Sequence, residues 1–161
     1  MPTNPPRSPA PSPIDVDALL LIVVGAHPRA ELNDRPTAYR LRQTIDQWLE
    51  RRYGDDTGGG ARPIMPLVVT DVWYLNDASM RKCPAISIGG PGVNAFSAFL
   101  GDKLPSAFVV DDTLMVQMDL DLTDAIACCW GVDAPATLAA VDAFTARYLD
   151  AFLDAAVRER V

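Results

Sequence analysis

The sequence predicts an α/β domain of Rossmann-like layout, a mainly parallel sheet with one antiparallel hairpin and helices on both faces. Three observations predict it. Short apolar runs rich in β-branched residues alternate with longer stretches whose apolar residues recur at helical spacing. The run Ile86-Ser87-Ile88-Gly89-Gly90-Pro91-Gly92-Val93-Asn94 passes from a strand pattern through a tight glycine-proline turn into a short helix. Asp111-Asp112-Thr113 separates two strand patterns by too few residues for a helical crossover, so those strands form a hairpin.

Residues 1–13 are a low-complexity Pro/Ser arm with nothing to bury, expected to be disordered; residues 14–161 make a single α/β domain. Residues 18–24 are continuously apolar and end in β-branched side chains, as a central strand covered on both faces requires. Gly25 ends that strand, and residues 26–33 read as a loop. Asp34 then stands as an N-cap with Pro36 in the first turn. Ala38, Leu41, Ile45, Trp48 and Leu49 follow at helical spacing, an amphipathic helix of about four turns. Gly54 and Gly58-Gly59-Gly60 close it with a flexible linker.

Further strands are expected at 67–70, 85–88, 107–110, 114–120 and 126–130, with a short helix from Asn94 to about Leu100. In 114–120, Leu114, Val116, Met118 and Leu120 alternate with Gln117 and Asp119, giving an apolar face and a solvated polar one. One long helix starts near Pro135 and lines a broad face with Leu138, Val141, Phe144, Tyr148, Phe152 and Val157.

Composition narrows the function. The 161 residues hold 14 Lys+Arg against 21 Asp+Glu, a net charge of -7, so nucleic acid is not an expected partner. The densest basic group, Arg40, Arg42, Arg51 and Arg52, is interspersed with Asp46 and Glu50 and reads as a solvated helix face. No apolar run approaches the ~20 residues of a spanning helix, and residues 1–13 lack the apolar centre of a secretory signal. A cytoplasmic protein with no membrane partner is therefore expected. Cys83, Cys128 and Cys129 are an odd number, and the adjacent pair should point to opposite faces of a strand, as small buried hydrophobes in a reducing compartment. His27 is the single histidine and has no ligand-spaced companion, so no metal site is expected. Asp111, Asp112, Asp119, Asp121 and Asp124 lack the spacing of a calcium loop and read as a polar face.

The candidate site is the carboxyl edge of the sheet. Gly89, Gly90 and Gly92 remove side chains that would keep a ligand from the backbone, and the Gly90, Gly92 and Val93 amides can then face an anion or polar group. Asn94 opens the following helix at its positive end. No Lys-Ser/Thr follows, and the glycine spacing is not GxGxxG, so no nucleotide is specified and the cofactor is left unassigned. Equally, the turn is accounted for as a tight connection with Asn94 as its cap. Asp71, just past the second strand, stands where dinucleotide folds place the acid that binds a ribose hydroxyl. His27, just past the first strand, is a candidate acid/base with Asp34 or Glu31 orienting it.

Gly89-Gly90-Pro91 with Asn94, the hairpin at 111–113, and Gly131 followed by Thr137 and Ala140 resemble the GGPxxN element and G-x5-T-x2-A turn of a domain of archaeal surface-layer-type proteins. The resemblance covers the second half of the chain, from about Cys83 to Phe144. It implies that residues 89–94 and 131–137 are neighbouring loops on one sheet edge, which adds Thr137 to the candidate ligand-binding residues. It implies structure or binding more than chemistry.

The expected function is that of a non-catalytic domain binding a small polar or anionic ligand or a protein partner, as a homo-oligomer. One alternative is a hydrolase or transferase on a nucleotide-like substrate, with His27 as acid/base and the 90–93 amides stabilising charge. It requires His27, Asp71 and Asn94 to converge on one pocket. Another is a structural assembly module, favoured by an exposed apolar face on the last helix.

Overall fold

Leu19–Val24 forms β1, and every residue of it is fully buried. A strand covered on both faces must have neighbours on both sides and helices above and below, and the computed structural model supplies both. It describes residues 14–54 and 62–160, so the Pro-rich arm at 1–13 and the linker Gly58-Gly59-Gly60 lie outside the described residues. The strands are β1, β2 (Met65–Thr70), β3 (Ala85–Ile88), β4 (Ser106–Val110), β5 (Leu114–Met118) and β6 (Ile126–Gly131). They lie in the order β2-β1-β3-β6-β5-β4. β2, β1, β3 and β6 are mutually parallel, while β5 runs antiparallel to both β6 and β4. Thr113 N–H closes the β4–β5 hairpin on the Val110 carbonyl, with Asp112 in the left-handed region at φ 55°.

The helices are α1 (Pro28–Tyr53), α2 (Asp71–Asn76), α3 (Ala95–Leu100), α4 (Ala134–Arg147) and α5 (Leu149–Arg158). Strand alternation splits the core into two layers. Leu20, Ile22, Val24, Ile86, Ile88, Val116 and Cys129 pack with Leu41, Ile45 and Leu49 of α1, Val141 and Phe144 of α4, and Phe152 and Leu153 of α5. On the opposite face Leu19, Leu21, Val23, Ala85 and Cys128 pack with Tyr74 of α2, Met80, and Phe96 and Leu100 of α3. Cys128 and Cys129 thus point to opposite faces, and all three thiols are free and buried.

Three expectations are corrected. The first helix does not start at Asp34. His27 caps it, its Nδ1 accepting from the Arg29 amide at 3.1 Å, and Pro28 occupies the first turn. Asp34 is therefore inside the helix, and so is Pro36. An interior proline costs about 3 kcal/mol. The helix starts early nonetheless, because the turns from Pro28 bury Ala30 against the core, and α1 runs to 26 residues.

The second correction is at the C-terminal end, where the one expected helix is two, broken at Tyr148 (φ -127°, ψ -19°). The Tyr148 hydroxyl donates to the Ala107 carbonyl of β4 at 3.0 Å, and Arg147 lies 4.5 Å over the Phe108 ring. These contacts hold the junction against the sheet while α5 turns to bury Phe152 and Leu153. Val141, Phe144 and Phe152 are consumed in the domain's own core, not displayed as an exposed apolar face.

Third, Gln117 is not on a solvated face. It is buried, and its amide donates to the Gly101 and Leu104 carbonyls, both at 3.0 Å, tying β5 to the α3–β4 connection. β5 ends at Met118, so Leu120 is an exposed loop residue.

Candidate functional site

Four connections leave the carboxyl edge of the parallel strands, and they divide into stitching and opening. Asp71, the first residue of α2, is buried and its carboxylate is fully engaged. Oδ1 accepts from the amides of Ala26 (2.9 Å) and Val72 (2.7 Å), and Oδ2 accepts from Ala95 (2.7 Å). One side chain thus joins the ends of β1 and β2 to the start of α3.

Asn94 is equally committed. Its Oδ1 caps α3 by accepting from Phe96 and Ser97, while Nδ2 donates to the Val23 and Ile88 carbonyls and to Ser87 Oγ. Only 1% of the residue is exposed. Thr137 accepts from the Gly131 amide at 3.1 Å and locks β6 to α4. Asp71 and Asn94 were expected to reach a ligand; their polar atoms instead hold the edge together, and buried groups so paired are worth more to the fold than to solvent.

Two glycines allow these loops to close. A Cβ on Gly25 would run into the Val93 carbonyl, and one on Gly131 would run into Ala136. Gly89 has φ 103°, and a Cβ there would meet the Asp34 carboxylate. Gly90 and Gly92 are different: the nearest atom to a Cβ on Gly90 is 3.5 Å away on Trp130, and a Cβ on Gly92 meets nothing within 4 Å. Both border open space.

That space is a cleft of about 510 Å³ between α1, the β3–α3 loop and the β6–α4 loop. Residues 89–94 and 131–137 are therefore neighbours on one edge. Polar groups facing the cleft come from Arg29, Asn33 and Asp34 of α1, and from Asp133 and Thr137 at the start of α4; Pro91, Val93, Trp130 and Val132 supply apolar wall. His27, Asp71 and Asn94 are not among its lining residues, so the convergence an acid/base mechanism at His27 needs is not present. His27 is exposed, with Nδ1 engaged in the helix cap, and Glu31 pairs with Arg35 at 2.8 Å instead of with His27. That pairing holds the Glu31 carboxyl below its usual range.

Asp34 is the residue whose role changes most. It is 5% exposed, lines the cleft, and among the described residues its carboxyl has no hydrogen-bond or ionic partner. Burial without compensation pushes its pKa up to about 6. On the loops, the Val93 and Asn94 amides are not available to a ligand, because both donate to the Gly90 carbonyl, at 3.1 and 3.0 Å. The Gly90 and Gly92 amides, and those of Asp133 and Ala134 at the head of α4, have no acceptor among the described residues. Asp133 caps α4 through Oδ1 on the Ala136 amide at 2.8 Å.

The sequence does carry a signal for Asp34. Ala30, Asp34, Ala38, Leu41 and Ile45 fall on one helical stripe, so a carboxyl occupies a core-facing position once the helix starts at Pro28. Arg29, Trp130, Val132 and Asp133 carry no such mark and join the site only through folding. Among the described residues no group of three or more His, Cys, Asp or Glu is placed to hold a metal, and no helix is long and apolar enough to cross a membrane. Comparison with known proteins finds no matching family model, no matching curated protein and no matching solved structure.

Proposed function

We propose that this chain is a Rossmann-like, non-catalytic binding domain whose cleft over the ends of β3 and β6 takes a small polar ligand. The observation that carries this reading is the Asp34 carboxyl, 5% exposed and, among the described residues, without a partner in an open cleft. Its oxygens have only the cleft to face, and a carboxyl so nearly enclosed gives up part of its solvation, at a cost on the order of 1 kcal/mol or more. A ligand that supplies the missing partner recovers that cost on binding. Location supports the same reading. The connection after β1 leaves on the α1 face and the connection after β3 leaves on the α3 face, and open α/β sheets bind ligands where neighbouring connections part.

Thermal-shift and NMR titration with a panel of nucleotides, sugar phosphates, amino acids and small carboxylic acids tests it. At least one class should stabilise the wild type, by about 2.7 kcal/mol at a hundredfold excess over Kd. Gly92→Leu, at a position on the cleft where a Cβ meets nothing within 4 Å, should abolish that stabilisation while leaving the fold intact. No stabilisation by any class at millimolar concentration, or stabilisation indifferent to Gly92→Leu, overturns the reading.

A further inference from the structure

The cleft has two poles of opposite character. At one, the Asp34 carboxyl is enclosed by α1 and by the backbone of Gly89, where the absent Cβ makes room for it. At the other, the Gly90, Gly92, Asp133 and Ala134 amides are without acceptors among the described residues, the last two at the head of the 14-residue helix α4, whose dipole favours a negative group. Arg29 borders the same cleft, exposed and without an ionic partner among the described residues. Between the poles the wall is apolar, with Trp130, Pro91 and Val132, the last 67% exposed.

Resting on the binding role proposed above, we infer that the ligand is an amino-acid-type zwitterion with an apolar side chain. Its ammonium sits on the Asp34 carboxylate, and its carboxylate sits on the unpartnered loop and helix amides. A buried carboxylate calls for a cation with hydrogens to donate, and an ammonium is both. A phosphate ester suits the cleft less well, since Arg29 is outnumbered there by the carboxyls of Asp34 and Asp133. A simple amine leaves the donor pole unused, and a simple carboxylate leaves Asp34 unsatisfied.

The arrangement also fixes a proton signature. Burial pushes the Asp34 carboxyl up to about 6. The charged groups that share the cleft with it are Arg29 on its own helix and Asp133, the cap of α4, while Glu31 and Arg35 of α1 pair with each other. A bound ammonium favours the ionised carboxylate, so binding near pH 6 releases a proton and affinity falls as pH drops below that point.

The test is calorimetric titration of the full chain with L-leucine and L-phenylalanine, alongside 4-methylpentanoate, which lacks the ammonium, and 3-methylbutylamine, which lacks the carboxylate. At least one amino acid should bind, each half-analogue should bind at least about tenfold more weakly, and repeating the titration in buffers of different ionisation enthalpy at pH 6 should report proton release. Asp34→Asn should weaken the amino acid at least tenfold and leave 4-methylpentanoate unchanged. Arg29→Ala, an exposed and fold-neutral change, should weaken the amino acid and the carboxylate alike. If a nucleotide or sugar phosphate binds in a Gly92→Leu-sensitive manner while neither amino acid does, the zwitterion is overturned and the binding role stands. If no class binds, both fall.

Discussion

Asp34 condenses the tension between folding and function into one side chain. A carboxyl on the apolar stripe of α1 opposes folding, and it does so in a pH-dependent way whose sign follows from its raised pKa. In the fold it stands at about 6, against 3.8 for an ordinary aspartate. Between these the unfolded chain has already lost the proton and the folded chain still holds it. The contribution of Asp34 to stability is thus greatest below the lower value and is lost as pH rises from there through the upper one, by at most about 3 kcal/mol. Asp34→Asn should abolish that decline and leave the variant more stable than wild type at pH 7, read from urea unfolding midpoints at a series of pH values. A wild-type profile that is flat between pH 4 and 7 contradicts the placement of this carboxyl. Asp71 is held quite differently, its carboxylate accepting from three amides. Asp71→Ala should cost on the order of 3 kcal/mol, whereas His27→Ala, which removes one exposed helix cap, should cost about 1 kcal/mol. Equal costs for the two in chemical denaturation are incompatible with the different burial of their hydrogen bonds. Both residues were legible in the sequence as polar punctuation after a strand. That one is a knot between three connections and the other a surface cap depends on partners 45 and 2 residues away, which spacing does not reveal.

At the scale of elements, the strands were the easiest to read. Residues 85–88 are β3 as expected, and the remaining strands shift only at their ends, because apolar runs in a sheet covered on both faces have little else to become. Helix boundaries were harder. Asp34 followed by Pro36 has every local mark of a helix start, yet an earlier start, with His27-Pro28 opening α1, wins because it adds two turns that bury Ala30 and cover the end of β1. The break at Tyr148 is set by a hydrogen bond to a strand 41 residues away. Glycines sort the same way. Gly25 and Gly131 permit close approach of backbone from other connections, while Gly90 and Gly92 border the cleft. Gly25→Ala and Gly131→Ala should each destabilise by more than about 2 kcal/mol, while Gly92→Ala should stay within about 0.5 kcal/mol of wild type. Thermal unfolding of the three variants side by side checks the order, and a destabilised Gly92→Ala would mean that its surroundings are not open.

For the whole molecule, two apolar layers on one sheet make the three cysteines a probe of global opening. All are buried, and burial pushes the Cys128 thiol up to about 11 and Cys129 well above its usual range. With so little thiolate and no access, Cys128 and Cys129 should label with a thiol reagent only at the rate of global unfolding, followed by mass spectrometry across a denaturant series. Labelling of either that is independent of denaturant would contradict the core as built. The sequence by itself determined the α/β class, the strand segments, the hairpin, the opposed cysteines and the edge on which polar residues gather. These follow from local periodicity and turn chemistry, which act over a few residues. Only the tertiary structure decided which of those polar residues are spent. Asp71 and Asn94 are consumed in joining connections, Thr137 locks one, and Asp34, hidden in the sequence behind an apparent cap, lines the cleft with no partner among the described residues. The physical reason is that a hydrogen-bonding group's availability is settled by whether folding brings it a partner, and partners come from the whole chain.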